Sequence, residues 1–253
     1  MKQQSWHAND SDEDLWCTVT AGLEGWLVEQ DALVTAFLLR LQEASAGRLP
    51  LLEIGVYAGK YLTLLMASAA RTGARTLGID TFQFKDRANV MAGLQAVVPD
   101  LMPCLTLHSG SSRQLQAADV LAMLGDRPRF VSIDGSHEYA DVLHDLRLAD
   151  AVLDATGVVA VDDFLNPLTL GVNRAVNVFM ESRPALVGVA CGVNKLFLAR
   201  HDMAGQYRDH LERHLMATPA RYGELFRAQL ATWRGLVEQD FFGGPCLLYG
   251  HGA

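Results

Sequence analysis

Between residues 49 and 163 short apolar runs alternate with segments of helical period, and the alternation repeats five times. LPLLEI (49–54), RTLGID (75–80), CLTLHSG (104–110), residues 129–134 and GVVAVDD (157–163) read as strands. The stretches at 59–73, 87–98, 112–124 and 137–154 read as helices, and another begins near Thr169. Apolar runs this short, bounded by Gly, Pro or Asp, suit strands buried on both faces. Successive strand–helix units predict a mostly parallel sheet with helices on both faces, because parallel neighbours need a crossover. The pattern then changes. ALVGVAC and KLFLAR are separated only by GVN, which predicts an antiparallel hairpin over 185–200.

The ends read differently. Residues 1–14 are polar, acidic and without periodicity, so they read as mobile. From Asp31, a suitable N-cap, the residues Leu33, Val34, Phe37, Leu38 and Leu41 recur at helical spacing until Gly47. Beyond residue 200 the chain reads as helical, with FFGGPCLLYGHGA as an irregular end. The expected organisation is an N-terminal extension (1–47), an α/β domain (48–200) and a helical tail (201–253). The apolar LATWRGLVEQDFF segment suits a homo-oligomer.

With 29 acidic and 21 basic residues the net charge is -8, and no Lys/Arg run stands against it. That disfavours nucleic acid as a ligand, since phosphate neutralisation needs clustered cations. Cys17, Cys104, Cys191 and Cys246 are far apart and form no C-x-x-C pair, which predicts reduced thiols. The polar start is unlike a signal peptide, and the apolar stretches end well short of a membrane span. The expected location is the cytoplasm, with no membrane partner.

In open α/β sheets ligands sit outside the carboxyl ends of the strands. The segments 53–59, 80–84, 108–112, 134–137 and 162–164 therefore share one edge. LLEIGVYAGK places glycines at 55 and 59 between strand and helix, where a ligand can approach the backbone closely. Asp80 ends the second strand, placed to accept hydrogen bonds from ribose hydroxyls, so an adenosine-containing cofactor is expected.

These residues resemble the class I S-adenosylmethionine (SAM)-dependent methyltransferases. Glu53, Gly55 and Gly59, then Asp80, then five strand–helix units and a hairpin carry the resemblance, over about residues 49–200. It implies a Rossmann-like, seven-stranded, mostly parallel sheet with the hairpin at one edge. It also implies that Gly55 and Gly59 border the methionine part of SAM, with Tyr57 lining the pocket. Glu53 would support the loop, Asp80 would hold the ribose, and Ser109 and Ser111 would flank the adenine. SIDGSHEY followed by VVAVDDF is similar, more narrowly, to metal-dependent O-methyltransferases acting on sugars of macrolide and aminocoumarin antibiotics. GLEGWL, VDDF and NKLFLA match a broader bacterial group linked in part to glycan synthesis. The resemblance implies Asp134, Asp162 and Asp163 as ligands of a divalent cation, Mg²⁺ by preference. It implies His137 as base, and Asp134 as a contact to both cofactor and chemistry. Asp-Asp where some relatives have Glu-Asp is a departure.

The chemistry is coherent by itself. An alcohol needs activation before it attacks a sulfonium methyl group. Carboxylates suit Mg²⁺, which can orient a hydroxyl and lower its pKa, and an imidazole titrates near neutrality. Three acids at neighbouring strand ends would also repel one another without a cation. Blander roles stand beside these. Asp134 can cap the following helix, Asp162 and Asp163 can be turn residues, and His137 can be a surface or substrate hydrogen-bonder. Asn194–Lys195 reads as turn chemistry. Phe82 and Phe84 read as core, and Trp6, Trp16 and Trp26 as anchors on it. The expected function is metal-assisted O-methylation of a sugar, glycan precursor or glycosylated small molecule. The alternatives are a phenolic, catechol-like acceptor or a non-catalytic cofactor-binding partner protein.

Overall fold

The computed structural model describes residues 12–192, 194–215 and 237–249. Two helices, α1 (Asp12–Gly22) and α2 (Glu29–Ala46), precede an alternating series. It runs β1 (Leu51–Ile54), α3 (Leu62–Thr72), β2 (Thr76–Asp80), α4 (Arg87–Val97), β3 (Leu105–Ser109), α5 (Ala117–Leu124), β4 (Phe130–Ile133), α6 (Tyr139–Val152), β5 (Val158–Asp162) and α7 (Leu170–Glu181). The hairpin β6 (Leu186–Cys191) and β7 (Lys195–Arg200) follows, then α8 (His201–Leu215), then β8 (Val237–Phe241) and β9 (Gly244–Leu248).

The strands form one sheet in the order β3-β2-β1-β4-β5-β7-β6-β9-β8. The first five are parallel, and β7 enters antiparallel between β5 and β6. Side chains alternate across the sheet, as the period of two requires. Leu51, Phe130, Val158 and Phe197 pack on one face against α1–α4 and α8. Leu52, Val131, Val159 and Leu198 pack on the other against α5–α7. The expected α/β layering holds.

Among the described residues the sheet has nine strands rather than seven, because the segment expected to end irregularly pairs as β8–β9 and adds to β6. Its turn, Phe242–Gly243, has positive φ at both residues (54° and 83°), the backbone of a tight two-residue hairpin. The stretch 216–236 of the expected helical tail lies outside the described residues, as does Trp6.

The N-terminal region also departs from expectation. Residues 12–14 belong to α1, whereas 1–11 are outside the described residues. Asp31 is not the cap of α2 but sits inside it, buried, where it accepts a hydrogen bond from Tyr249 (2.6 Å). No helix among the described residues is long and apolar enough to cross a membrane.

Candidate active site

The parallel strands deliver their following residues to one edge. After β1 the chain makes a tight turn with positive φ at Gly55 (89°), Tyr57 (48°) and Gly59 (83°). Gly55 has a second constraint. A Cβ there would lie 1.9 Å from the Asp134 carbonyl oxygen, so the turns after β1 and β4 can touch only at a glycine. Asp80 braces this turn. Its Oδ2 accepts from the backbone N–H groups of Val56 (2.7 Å) and Tyr57 (2.9 Å), and Oδ1 from Phe82 (2.6 Å). A carboxylate offers about four acceptor positions, so roughly one remains for a ribose hydroxyl.

Glu53 is 1% exposed, and among the described residues its Oε2 has no hydrogen-bond partner. Burial holds its carboxyl well above the usual range, against the pull of Lys195. Ser109 pairs in register with Asp80 on the neighbouring strand. The Ser111 hydroxyl caps the short turn after it by accepting from Arg113 N–H (3.3 Å). The Tyr57 hydroxyl donates to Glu24 (2.7 Å), and its ring stacks on Trp26 at 6.2 Å. Trp26 is 91% exposed and Phe84 83%, so neither belongs to the core, contrary to expectation, whereas Trp16 and Phe82 pack against it.

The ends of β4 and β5 hold the acids. His137 Nε2 lies 2.7 Å from Asp163 Oδ2. Asp163 Oδ1 accepts from the side-chain amides of Asn166 (2.8 Å) and Asn194 (3.0 Å). Burial alone would raise the Asp163 carboxyl, but these three donors outweigh it and bring it down to about 2. His137 is raised in return, mainly by Asp163 and against its own partial burial. Asp134 is pushed well up, first by burial and then by Asp162, with which it shares a hydrogen bond.

Asp162 has a partner that the sequence reading missed. Lys195 is 2% exposed, its Nζ is 2.8 Å from Asp162 Oδ1, and it sits 4.2 Å from the Tyr61 ring centroid. The angle misses hydrogen-bond geometry, so this is an ion pair. Lys195 is therefore buried site chemistry rather than turn chemistry, and Asn194 supports Asp163 besides. No local signal marks it, because the register that sets Lys195 opposite Asp162 belongs to the folded sheet. The three acids do not face one another bare, which weakens the repulsion argument for a metal.

The residues nonetheless fit a cation. Ligand atoms of Asp134, His137 and Asp163 lie within 4.8 Å of one another. The cleft lined by Asp134, His137, Asp162 and Asp163 holds about 10 Å³, space on the order of one ion or water. Glu53's unpartnered oxygen and the glycine turn likewise leave a place where a ligand can meet backbone and carboxyl.

Residues 52–164 match the sequence profile of a family described as a methyltransferase domain. Over that stretch, somewhat less than half of the chain, the sequence is similar to a methyltransferase domain. Solved structures share its fold. CalS11, a TDP-rhamnose 3′-O-methyltransferase of calicheamicin biosynthesis, is 17% identical with a TM-score of 0.52, covering 77% of this chain and 96% of that one. An O-methyltransferase from Bacillus cereus in complex with SAH is 16% identical at 0.53, covering 74% and 88%. TomG of Streptomyces achromogenes, an O-methyltransferase of tomaymycin synthesis in complex with SAM, is 18% identical at 0.51, covering 76% and 90%. A comparison with curated proteins finds no match. The methyltransferase profile spans β1 to the residues just after β5, the stretch that builds the edge described above.

Proposed function

We propose that this chain is a methyltransferase that transfers the methyl group of SAM to a hydroxyl of a sugar, glycan precursor or glycosylated small molecule, with help from a divalent cation. The observation that carries the reading is the His137–Asp163 contact (2.7 Å) at the edge of the glycine turn. With Nε2–H donating to Asp163, Nδ1 is left with the free lone pair, on a side chain that is 54% exposed. An acceptor hydroxyl can give its proton there. Asp163 fixes the tautomer and stabilises the imidazolium that results, a role open to an acid held ionised by three donors.

SAM would supply an electrophilic methyl on sulfur, and a cation would acidify the hydroxyl and orient it. The residues assigned to SAM are Glu53, Gly55, Tyr57, Gly59, Asp80, Ser109, Ser111 and Asp134. Those assigned to the cation are Asp134 and Asp163, with Asp162 and His137 adjoining. The likeness to a TDP-rhamnose enzyme supports a sugar acceptor.

The test is a transfer assay with SAM labelled in the methyl group, against panels of nucleotide sugars, glycosides and catechols, with Mg²⁺ or EDTA. The expected result is label on a sugar hydroxyl, dependent on Mg²⁺ and lowered about 10²-fold or more in His137→Asn. Label appearing only on catechols would transfer the enzyme to the phenolic class. SAM binding by calorimetry without turnover on any acceptor would make it a binding protein.

A further inference from the structure

The acidic edge is divided between the two faces of the sheet. Glu53, Asp162 and Lys195 share the face that carries Leu51, Val158 and Phe197, by alternation along their strands. Asp163 is the next residue after Asp162, in a left-handed conformation (φ 59°), and its side chain goes the other way, to His137, Asn166 and Asn194. Two consecutive acids at a strand end therefore serve two partners. The inner one is a buried ammonium delivered by β7 in register with Asp162, in contact with the Tyr61 ring and, among the described residues, without a hydrogen-bond partner. The cleft lined by Asp134, His137, Asp162 and Asp163 has room for about one ion, so the ammonium and a cation would be drawn to the same carboxylate.

We propose, resting on the reading that this edge takes a divalent cation, that Lys195 is a positioning residue that keeps Asp162 out of the ligand set. The cation is then held by Asp134 and Asp163, whose ligand atoms lie within 4.8 Å of one another and of His137. Two consequences follow. Affinity for the cation is held down by a fixed positive charge next to its site. Asp162 acts through Lys195, as part of the floor under the glycine turn, rather than on the metal. This departs from the set of Asp134, Asp162 and Asp163 that the sequence resemblance implies.

The probe is Mn²⁺, followed by the loss of its free-ion paramagnetic resonance signal, on the full chain as wild type, Lys195→Gln, Lys195→Arg, Asp162→Asn and Asp163→Asn. SAM binding is measured alongside by calorimetry without metal. Asp163→Asn is expected to lose Mn²⁺ binding, Asp162→Asn to keep it but more weakly because the lysine charge is then unneutralised, and Lys195→Arg to stay close to wild type. Lys195→Gln is expected to bind about tenfold tighter or more, because the competing charge is gone. If Asp162→Asn is as damaging as Asp163→Asn and Lys195→Gln weakens binding, Asp162 is a ligand propped by the lysine and the proposal is overturned. Absence of Mn²⁺ binding in both wild type and Lys195→Gln overturns it as well. Should Lys195→Gln not fold by circular dichroism, the contrast between the two aspartate variants decides alone. Loss of SAM binding by the wild type would instead sink the methyltransferase reading, so the two failures are distinguishable.

Discussion

His137 and Asp163 set each other's charge. Asp163 holds the imidazole above its ordinary value of 6.5, with the charges of Asp162 and Glu138 adding to the effect. A base works in its neutral form, so activity should rise with pH through a midpoint above 6.5. Removing the Asp163 charge takes away the largest cause of the shift. In Asp163→Asn the acid limb of kcat/KM against pH is therefore expected to move to lower pH, even as the maximum rate falls. A limb that stays in place would mean that another group is the base. The same pair explains why a short, half-exposed imidazole can be positioned at all: Asp163 is itself fixed by Asn166 and Asn194 from two different loops.

The contact between α2 and the end of β9 is a second buried acid with a job. Burial raises Asp31 from 3.8 to about 6, and the hydrogen bond from Tyr249 offsets only part of that. Its folded value is above its unfolded one, so the native state holds the proton more tightly. Stability from this group is present below pH 3.8 and is lost as pH rises through about 6. Asp31→Asn keeps an acceptor for Tyr249 and removes the charge. The melting temperature of that variant should depend less on pH between about 4 and 6 than wild type does, with a gain at pH 7 of up to about 3 kcal/mol. A variant with an unchanged pH slope would show that Asp31 does not titrate there. The arrangement also explains how a hairpin at the far end of the chain comes to rest on the first long helix.

The terminal helices share the apolar layer of the central sheet. Leu15 and Val19 of α1, Leu38 of α2 and Leu211 of α8 lie in one cluster with Leu51, Phe130 and Val158. A polar knot fastens α2 and α8 at the opposite edge from the site. Gln42 donates to the Arg129 carbonyl (2.6 Å) and meets the Tyr207 hydroxyl (3.1 Å), which in turn donates to the Thr156 carbonyl. Tyr207→Phe removes the hydroxyl from a site that is 1% exposed and leaves the Thr156 carbonyl without that donor. Urea denaturation should show a loss of about 1–3 kcal/mol. SAM binding should be unchanged, because the knot lies at the far end of the strands. A loss of cofactor affinity instead would mean that the terminal helices control the glycine turn.

Much of this arrangement was legible in the chain before any coordinates. Strand and helix periods are local, so the alternation from residue 49 onward announced the parallel sheet. The rule that ligands gather at strand ends then put Glu53, Gly55, Asp80, Asp134, His137 and the Asp162–Asp163 pair on one edge. Pairing across the sheet is not local. The GVN hairpin could be read, but not that β7 rather than β6 would lie beside β5, and so Lys195 stayed hidden as a turn residue. The tail hairpin was missed for the same reason, since β9 finds its partner, β6, more than fifty residues earlier in the chain. Trp26 and Phe84 show the limit from another side: composition says that aromatic residues prefer burial, and only the shape of the folded edge leaves these two in solvent. Residue type and period specify which groups reach the edge; the order of the strands assigns each acid its partner.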